Sequence, residues 1–267
     1  MDLMAVTRKE NDQMMMVNIM WGGRDRHGAT LVCEKDLVTI RDIVAEPLVF
    51  DYNGDSIADL FTVDISGNRT VYQFSKDKKY ETIYLSSDKT DKLKEEHGNA
   101  FVDITSDGRA DLVLTTLSGL EIHEGLEHGF NYKCTIPWPD LPSCSDVNQC
   151  IGQPVYLDFY LSGNLQMILP VCFDPKCQES KLYFVETSNM TMCPQTWDWK
   201  PMKMGLDEEG ENWKFTPRNI KNSPLHSMIP RVGDVNLDGW PDLLMTMYNK
   251  SSKVLLKTCF LKLRINI

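Results

Sequence analysis

The sequence predicts an all-β fold, a partial β-propeller, on three observations. An Asp-rich segment recurs four times along the 267 residues. The runs between recurrences are short and rich in β-branched and aromatic residues, as strands are. No long amphipathic helix stands out, and residues Asp88 to Glu96 read as a charged loop in preference to a short helix.

The recurrence is the primary signal, because self-similarity constrains architecture before local structure does. The four segments are Phe50–Phe61, Phe101–Leu114, Tyr156–Leu169 and Val232–Met245. Each reads as a strand end, an Asp-rich turn and an apolar strand. Their first aspartates, Asp51, Asp103, Asp158 and Asp234, lie 52, 55 and 76 residues apart. Such intervals suit propeller blades, the long third one carrying inserted loops around Cys172, Cys177 and Cys193. Between the turns, Thr70–Phe74, Glu81–Leu85 and Lys181–Val185 read as strands. The propeller stretch is expected over residues 1–256, followed by a divergent tail at 257–267.

The turns have the composition of calcium loops. In Asp234–Asp242, oxygen side chains stand at positions 1, 3, 5 and 9: Asp234, Asn236, Asp238 and Asp242. Trp240, at position 7, would lend its carbonyl. Calcium takes six to eight oxygens, carboxylates and a main-chain carbonyl among them. Gly239 permits the reversal after position 5. Three carboxylates so close repel one another unless a cation sits among them. The first loop supplies Asp51, Asn53, Asp55 and Asp59, with Ile57 at the carbonyl position and its glycine displaced to Gly54. The second supplies Asp103, Thr105, Asp107 and Asp111, with Arg109 at the carbonyl position. The Thr105 hydroxyl is a poorer ligand, so this site is expected to be the weaker. The third, 158–166, offers Asp158, Tyr160, Ser162 and Gln166 and is expected to bind no metal. The competing reading is an Asp/Gly turn held by hydrogen bonds alone. An EF-hand is excluded: position 12 is Thr62, Leu114 or Met245, inside an apolar run, where an EF-hand has an acidic ligand.

The formal net charge of -10 argues against a nucleic-acid partner. No apolar run reaches the length of a membrane span, and the first residues lack a signal-peptide layout. Of eight cysteines, two pairs fall in short polar turns, Cys144 with Cys150 and Cys172 with Cys177, and are read as disulfides of an oxidising compartment. Zinc is the rival reading, but C-x-x-C is absent and no histidine pair lies nearby. Cys33, Cys134, Cys193 and Cys259 are left unassigned. Asn68, Asn189 and Asn249 open glycan acceptor triplets.

The loops, each following a strand and running into an apolar one, are similar to the FG-GAP repeats of integrin α propellers. More closely, Glu46-PLVFDYNGDSIADLF, Ala100-FVDITSDGRADLVLTTL, Leu169-PVCFDPKCQESKLYFV and Val232-GDVNLDGWPDLL resemble successive ectodomain parts of a family of FG-GAP-containing single-pass membrane glycoproteins of animals. The resemblance covers roughly residues 1 to 256. It implies a non-catalytic, calcium-binding module outside the cell, a protein partner, membrane association through segments absent from this chain, and a role in modulating T cells. Members carry a signal peptide, a longer ectodomain and a membrane helix, so the chain is expected to be an internal piece. Asp2 would then be position 9 of an earlier loop, and Phe260-LKLRINI departs from the family pattern.

A catalytic reading stays open beside this one: a propeller hydrolase using the acidic residues. The loop aspartates recur blade by blade, whereas an active site collects different residues once. No H-E-x-x-H, G-x-S-x-G or phosphate-binding glycine loop occurs. A third reading gives calcium a purely structural role. An exposed apolar or aromatic patch would favour a binding module over that.

Overall fold

The computed structural model of the chain describes residues 3–8, 14–25, 28–32, 38–85, 91–94, 98–187, 198–202, 213–215, 228–249 and 255–262. Among the described residues the regular structure is nearly all strand, in five four-stranded antiparallel sheets. The all-β expectation holds. The backbone divides into two compact units, Met1–Lys92 with Gly125–Tyr132, and Leu93–Glu124 with Lys133–Ile267.

The first unit holds two sheets. Strands β1 (Leu3–Arg8), β2 (Met15–Asp25), β3 (Gly28–Val32) and β4 (Val38–Ile43) form one, with the long β2 pairing with each of the other three. Strands β5 (Leu48–Phe50), β6 (Asp59–Val63), β7 (Arg69–Phe74) and β8 (Tyr80–Tyr84) form a meander. Met15, Val17 and Ile19 alternate along β2, so their side chains share one face. They pack with Ile40, Ile43, Leu60 and Phe74 in a common core.

The next sheet is a meander of β9 (Ala100–Val102), β10 (Asp111–Thr115), β11 (Gly119–Gly125) and β12 (Phe130–Pro137). Gly119 is required where β11 starts, because a Cβ there would stand 2.0 Å from the Ile136 carbonyl oxygen of β12. A short helix α1 (Val147–Cys150), capped by the Asp146 carboxylate, precedes the fourth sheet. That sheet is β13 (Val155–Leu157), β14 (Gln166–Cys172), β15 (Ser180–Glu186) and β16 (Lys200–Met202). The last comprises β17 (Trp213–Lys214), β18 (Arg231–Gly233), β19 (Asp242–Asn249) and β20 (Leu255–Lys262), with β19 pairing with the other three. Residues 257–262, read from sequence as tail, thus continue the last sheet as β20. Most of Asp88–Glu96 lies outside the described residues.

Strands β6, β10 and β14 are buried at every residue. A strand covered on both faces needs apolar side chains at successive positions, which is why these segments read as continuous apolar runs. In the second unit, Val113, Ile122 and Ile136 pack with Met167, Leu169 and Val185. Ile168, Leu182 and Phe184 pack with Leu243, Met245 and Met247. The three sheets of this unit are therefore joined through side-chain cores.

Candidate functional site

The four Asp-rich segments occupy equivalent places. Residues 51–58 join β5 to β6, 103–110 join β9 to β10, 158–165 join β13 to β14, and 234–241 join β18 to β19. In all four, positions 4 and 6 are left-handed: Gly54 and Ser56, Ser106 and Gly108, Leu161 and Gly163, Leu237 and Gly239. The glycine displaced to Gly54 therefore sits at another position that needs positive φ, which accounts for its tolerance there.

One hydrogen-bond frame recurs in each loop. The position-1 carboxylate accepts the position-6 amide: Ser56 to Asp51 at 2.8 Å, Gly108 to Asp103 at 2.9 Å, Gly163 to Asp158 at 2.6 Å and Gly239 to Asp234 at 2.8 Å. The position-5 side chain accepts the position-7 amide, from Ile57, Arg109, Asn164 and Trp240 onto Asp55, Asp107, Ser162 and Asp238. Position 9, buried at the start of the following strand, accepts the position-2 amide. Tyr52 donates to Asp59 at 2.8 Å, Ile104 to Asp111 at 3.0 Å, Phe159 to Gln166 at 2.6 Å and Val235 to Asp242 at 3.0 Å. The 158–166 loop is the informative case. It builds the same frame with one carboxylate, using Ser162 and Gln166 where the others have Asp. Turn formation alone therefore does not require the second and third acids of the other loops.

In the first loop the acids act on one another through their charges. Burial pushes the Asp59 pKa up, its two backbone hydrogen bonds pull it down, and the charges of Asp55 and Asp51 push it up again. Asn53 and Asn236, at position 3, each donate to the position-5 carboxylate, Asp55 at 3.1 Å and Asp238 at 3.2 Å. Thr105 differs: its hydroxyl is buried and has no hydrogen-bond partner among the described residues. The Arg109 guanidinium pairs with Asp107 at 2.5 Å, placing an internal cation on the second loop. Sequence reading assigned Arg109 only its carbonyl and missed this pair, which its two-residue spacing from Asp107 could have signalled.

The donor set of the three loops is all oxygen, which suits calcium and not a softer ion. Thr105 Oγ1 is a buried oxygen awaiting a partner within one of them. Among the described residues, however, no three His, Cys, Asp or Glu side chains are drawn together as a ready-made metal centre. The carboxylate oxygens face loop amides instead. Each carboxylate oxygen has two lone pairs, so accepting a loop amide leaves acceptor capacity on it.

Both close cysteine pairs are disulfides, Cys144–Cys150 and Cys172–Cys177, with Cα separations of 6.4 and 4.9 Å. Cys134 is disulfide-bonded as well. Asn68 is exposed at the β6–β7 turn, its amide donating to Asp64 at 2.9 Å. Asn189 and Cys193 lie outside the described residues, as does Cys33. Asn249 ends β19.

These features define an all-β chain of repeated four-stranded sheets in which four loops share one hydrogen-bond frame. Among characterised proteins it is similar to the T-cell immunomodulatory proteins. The human one is 29% identical over 242 residues, covering 87% of this chain and 36% of that protein. The rat protein is 29% identical over 241 residues with the same coverage. A Plasmodium falciparum T-cell immunomodulatory protein homolog is 22% identical over 290 residues, covering 92% of this chain and 39% of its own length. The chain thus spans little more than a third of the relatives it matches. No family model matches. Among solved structures, an Agrocybe aegerita lectin is similar with a TM-score of 0.48 and 12% identity over 97% of this chain and 65% of that one. Fission yeast SREBP–SCAP binding domains give 0.41 and 12% over 83% and 67%.

Proposed function

We propose that this chain is a non-catalytic, calcium-binding stretch of β-propeller from the extracellular part of a cell-surface glycoprotein, presenting a surface to a protein partner in a T-cell-related role. One observation carries the calcium part. The 158–166 loop forms its frame with a single acid, yet three sister loops place three acids each on that frame. Charge concentrated beyond what the turn needs is destabilising without a cation. The acids of a loop repel one another through water at several ångströms, an effect of about 1 kcal/mol per pair or less, and calcium reverses its sign.

The loop residues have distinct parts in this reading. Positions 1, 5 and 9 supply carboxylates, position 3 supplies the Asn53 or Asn236 amide oxygen or the Thr105 hydroxyl, and position 7 supplies the carbonyl of Ile57, Arg109 or Trp240. Binding ties the start of each loop to the start of the following buried strand, so the ion would stiffen the sheet edge.

The propeller and the extracellular setting rest on other grounds. Consecutive four-stranded sheets with one loop recurring at one place are the expected blade pattern. The disulfides support an oxidising compartment, and the similarity to T-cell immunomodulatory proteins supports the cell-surface, partner-binding role. Exposed apolar side chains at loop tips, Val235, Leu237 and Trp240, favour a binding module over a purely structural one. The test is thermal unfolding in calcium and in chelator. A midpoint raised by calcium supports the reading, and coincident midpoints overturn its calcium part.

A further inference from the structure

The second unit contains an open surface pocket of about 450 Å³ unrelated to the Asp loops. Its walls include Trp138, Pro139, Leu141 and Val147 on the segment between β12 and β13, and Trp199 just before β16. The Cys144–Cys150 disulfide and α1 hold that segment in a closed loop, and Cys144 itself lines the pocket. Both indoles are fixed from outside. Trp138 donates its ring N–H to the Thr116 carbonyl at 2.9 Å, and Trp199 meets Tyr183 edge-on at 6.0 Å between ring centres. Both rings also pack on the apolar core of the third and fourth sheets.

The lining is chemically one-sided. Among the described residues it is apolar and aromatic apart from one acidic side chain, Asp140, which stands exposed. A sugar would need several donors and acceptors, which these side chains do not provide. An anion would meet Asp140 and no lining cation. A ligand with an apolar body and a positive end satisfies every wall at once. Its hydrocarbon replaces water against Pro139, Leu141 and Val147, while its charge lies beside the Trp138 and Trp199 rings and the exposed Asp140 carboxylate. The geometry points to a binding site for an organic cation, an ammonium or guanidinium on an apolar stem, carried either by a free small molecule or by a basic side chain of a protein.

The test is a titration of the whole chain with choline, with its neutral carbon isostere 3,3-dimethyl-1-butanol, and with N-acetyl-lysine N-methylamide, read on tryptophan fluorescence at constant ionic strength. The expected result is a saturable change with choline, binding about fivefold tighter than the isostere, in line with a solvent-accessible cation–aromatic contact. Asp140→Asn, at an exposed position that leaves the core untouched, weakens choline about two- to fivefold without changing isostere binding. Trp199→Leu keeps an apolar wall but removes an aromatic face, and abolishes the preference for the charged ligand. Tighter binding of the lysine derivative than of choline assigns the site to a partner's side chain, and the reverse order to a free molecule. Equal binding of choline and its isostere, an unchanged Asp140→Asn variant, or no saturable change with any cation overturns the assignment.

Discussion

The buried position-9 side chains allow a prediction whose size follows from their hydrogen bonds. Asp59 uses both oxygens: Oδ2 accepts the Tyr52 amide at 2.8 Å and Oδ1 the Phe74 amide at 2.7 Å. Asn at this site retains one acceptor and turns an N–H₂ toward the other amide. Losing a hydrogen bond to a charged group costs about 1.5–3 kcal/mol. Part is recovered, because Asn escapes the burial and repulsion from Asp55 and Asp51 that disfavour the Asp59 carboxylate. The net cost of Asp59→Asn is therefore about 1–2 kcal/mol. For a chain of this size that lowers the melting midpoint by about 2–8 °C. Among the described residues Asp242 accepts only the Val235 amide, through Oδ2, and Gln166 shows that an amide serves at the equivalent position. Asp242→Asn should then cost less than about 0.5 kcal/mol. Both variants are melted in chelator, so that calcium ligation does not enter. Equal midpoints for the two variants, or an Asp59→Asn midpoint matching the parent, would refute the reasoning.

Three further outcomes are expected. Gly119→Ala forces a Cβ onto the Ile136 carbonyl, where backbone and not a flexible side chain must yield; it should lower the melting midpoint by the equivalent of about 1–3 kcal/mol, and an unchanged midpoint would contradict the close approach. Peptide mapping without reduction should recover Cys144–Cys150 and Cys172–Cys177 as linked pairs, and finding either pair as free thiols contradicts that assignment. When the chain is secreted behind an added signal peptide, glycosidase treatment should reduce its mass, and Asn68→Gln should remove one glycan; no mass change would withdraw that support for export.

The loops were legible because their chemistry is local. Asp, Gly and apolar residues at fixed offsets specify turn and following strand within about ten residues, and β6, β10, β14 and β19 begin at position 9 as read. The sheet of β1 to β4 was read only as part of the propeller stretch 1–256, with Asp2 ending an earlier loop, and its strands were not placed. Its alternation of Met15, Val17 and Ile19 is present in the sequence, but it lacks an intact loop to mark it. Leu161 and Leu237 take left-handed conformations that their identities disfavour, imposed by the frame around positions 1 and 9. Continuation of the last sheet through β20 depends on pairing with β19, a contact between segments that spacing within either one does not encode. The pocket beside Trp138 and Trp199 joins residues some 60 apart and was likewise invisible to motif reading.

The most direct measurement of the central claim is calcium stoichiometry by flow dialysis on the parent chain and two variants. Three sites are expected in the parent, with dissociation constants of about 10⁻⁴–10⁻³ M. The site at Asp103 should be the weakest, because Arg109 already neutralises Asp107 and Thr105 replaces an amide. Asp238→Ala should remove one site, while Ser162→Ala leaves all three. No saturable binding in the parent, or equal losses in both variants, would contradict it.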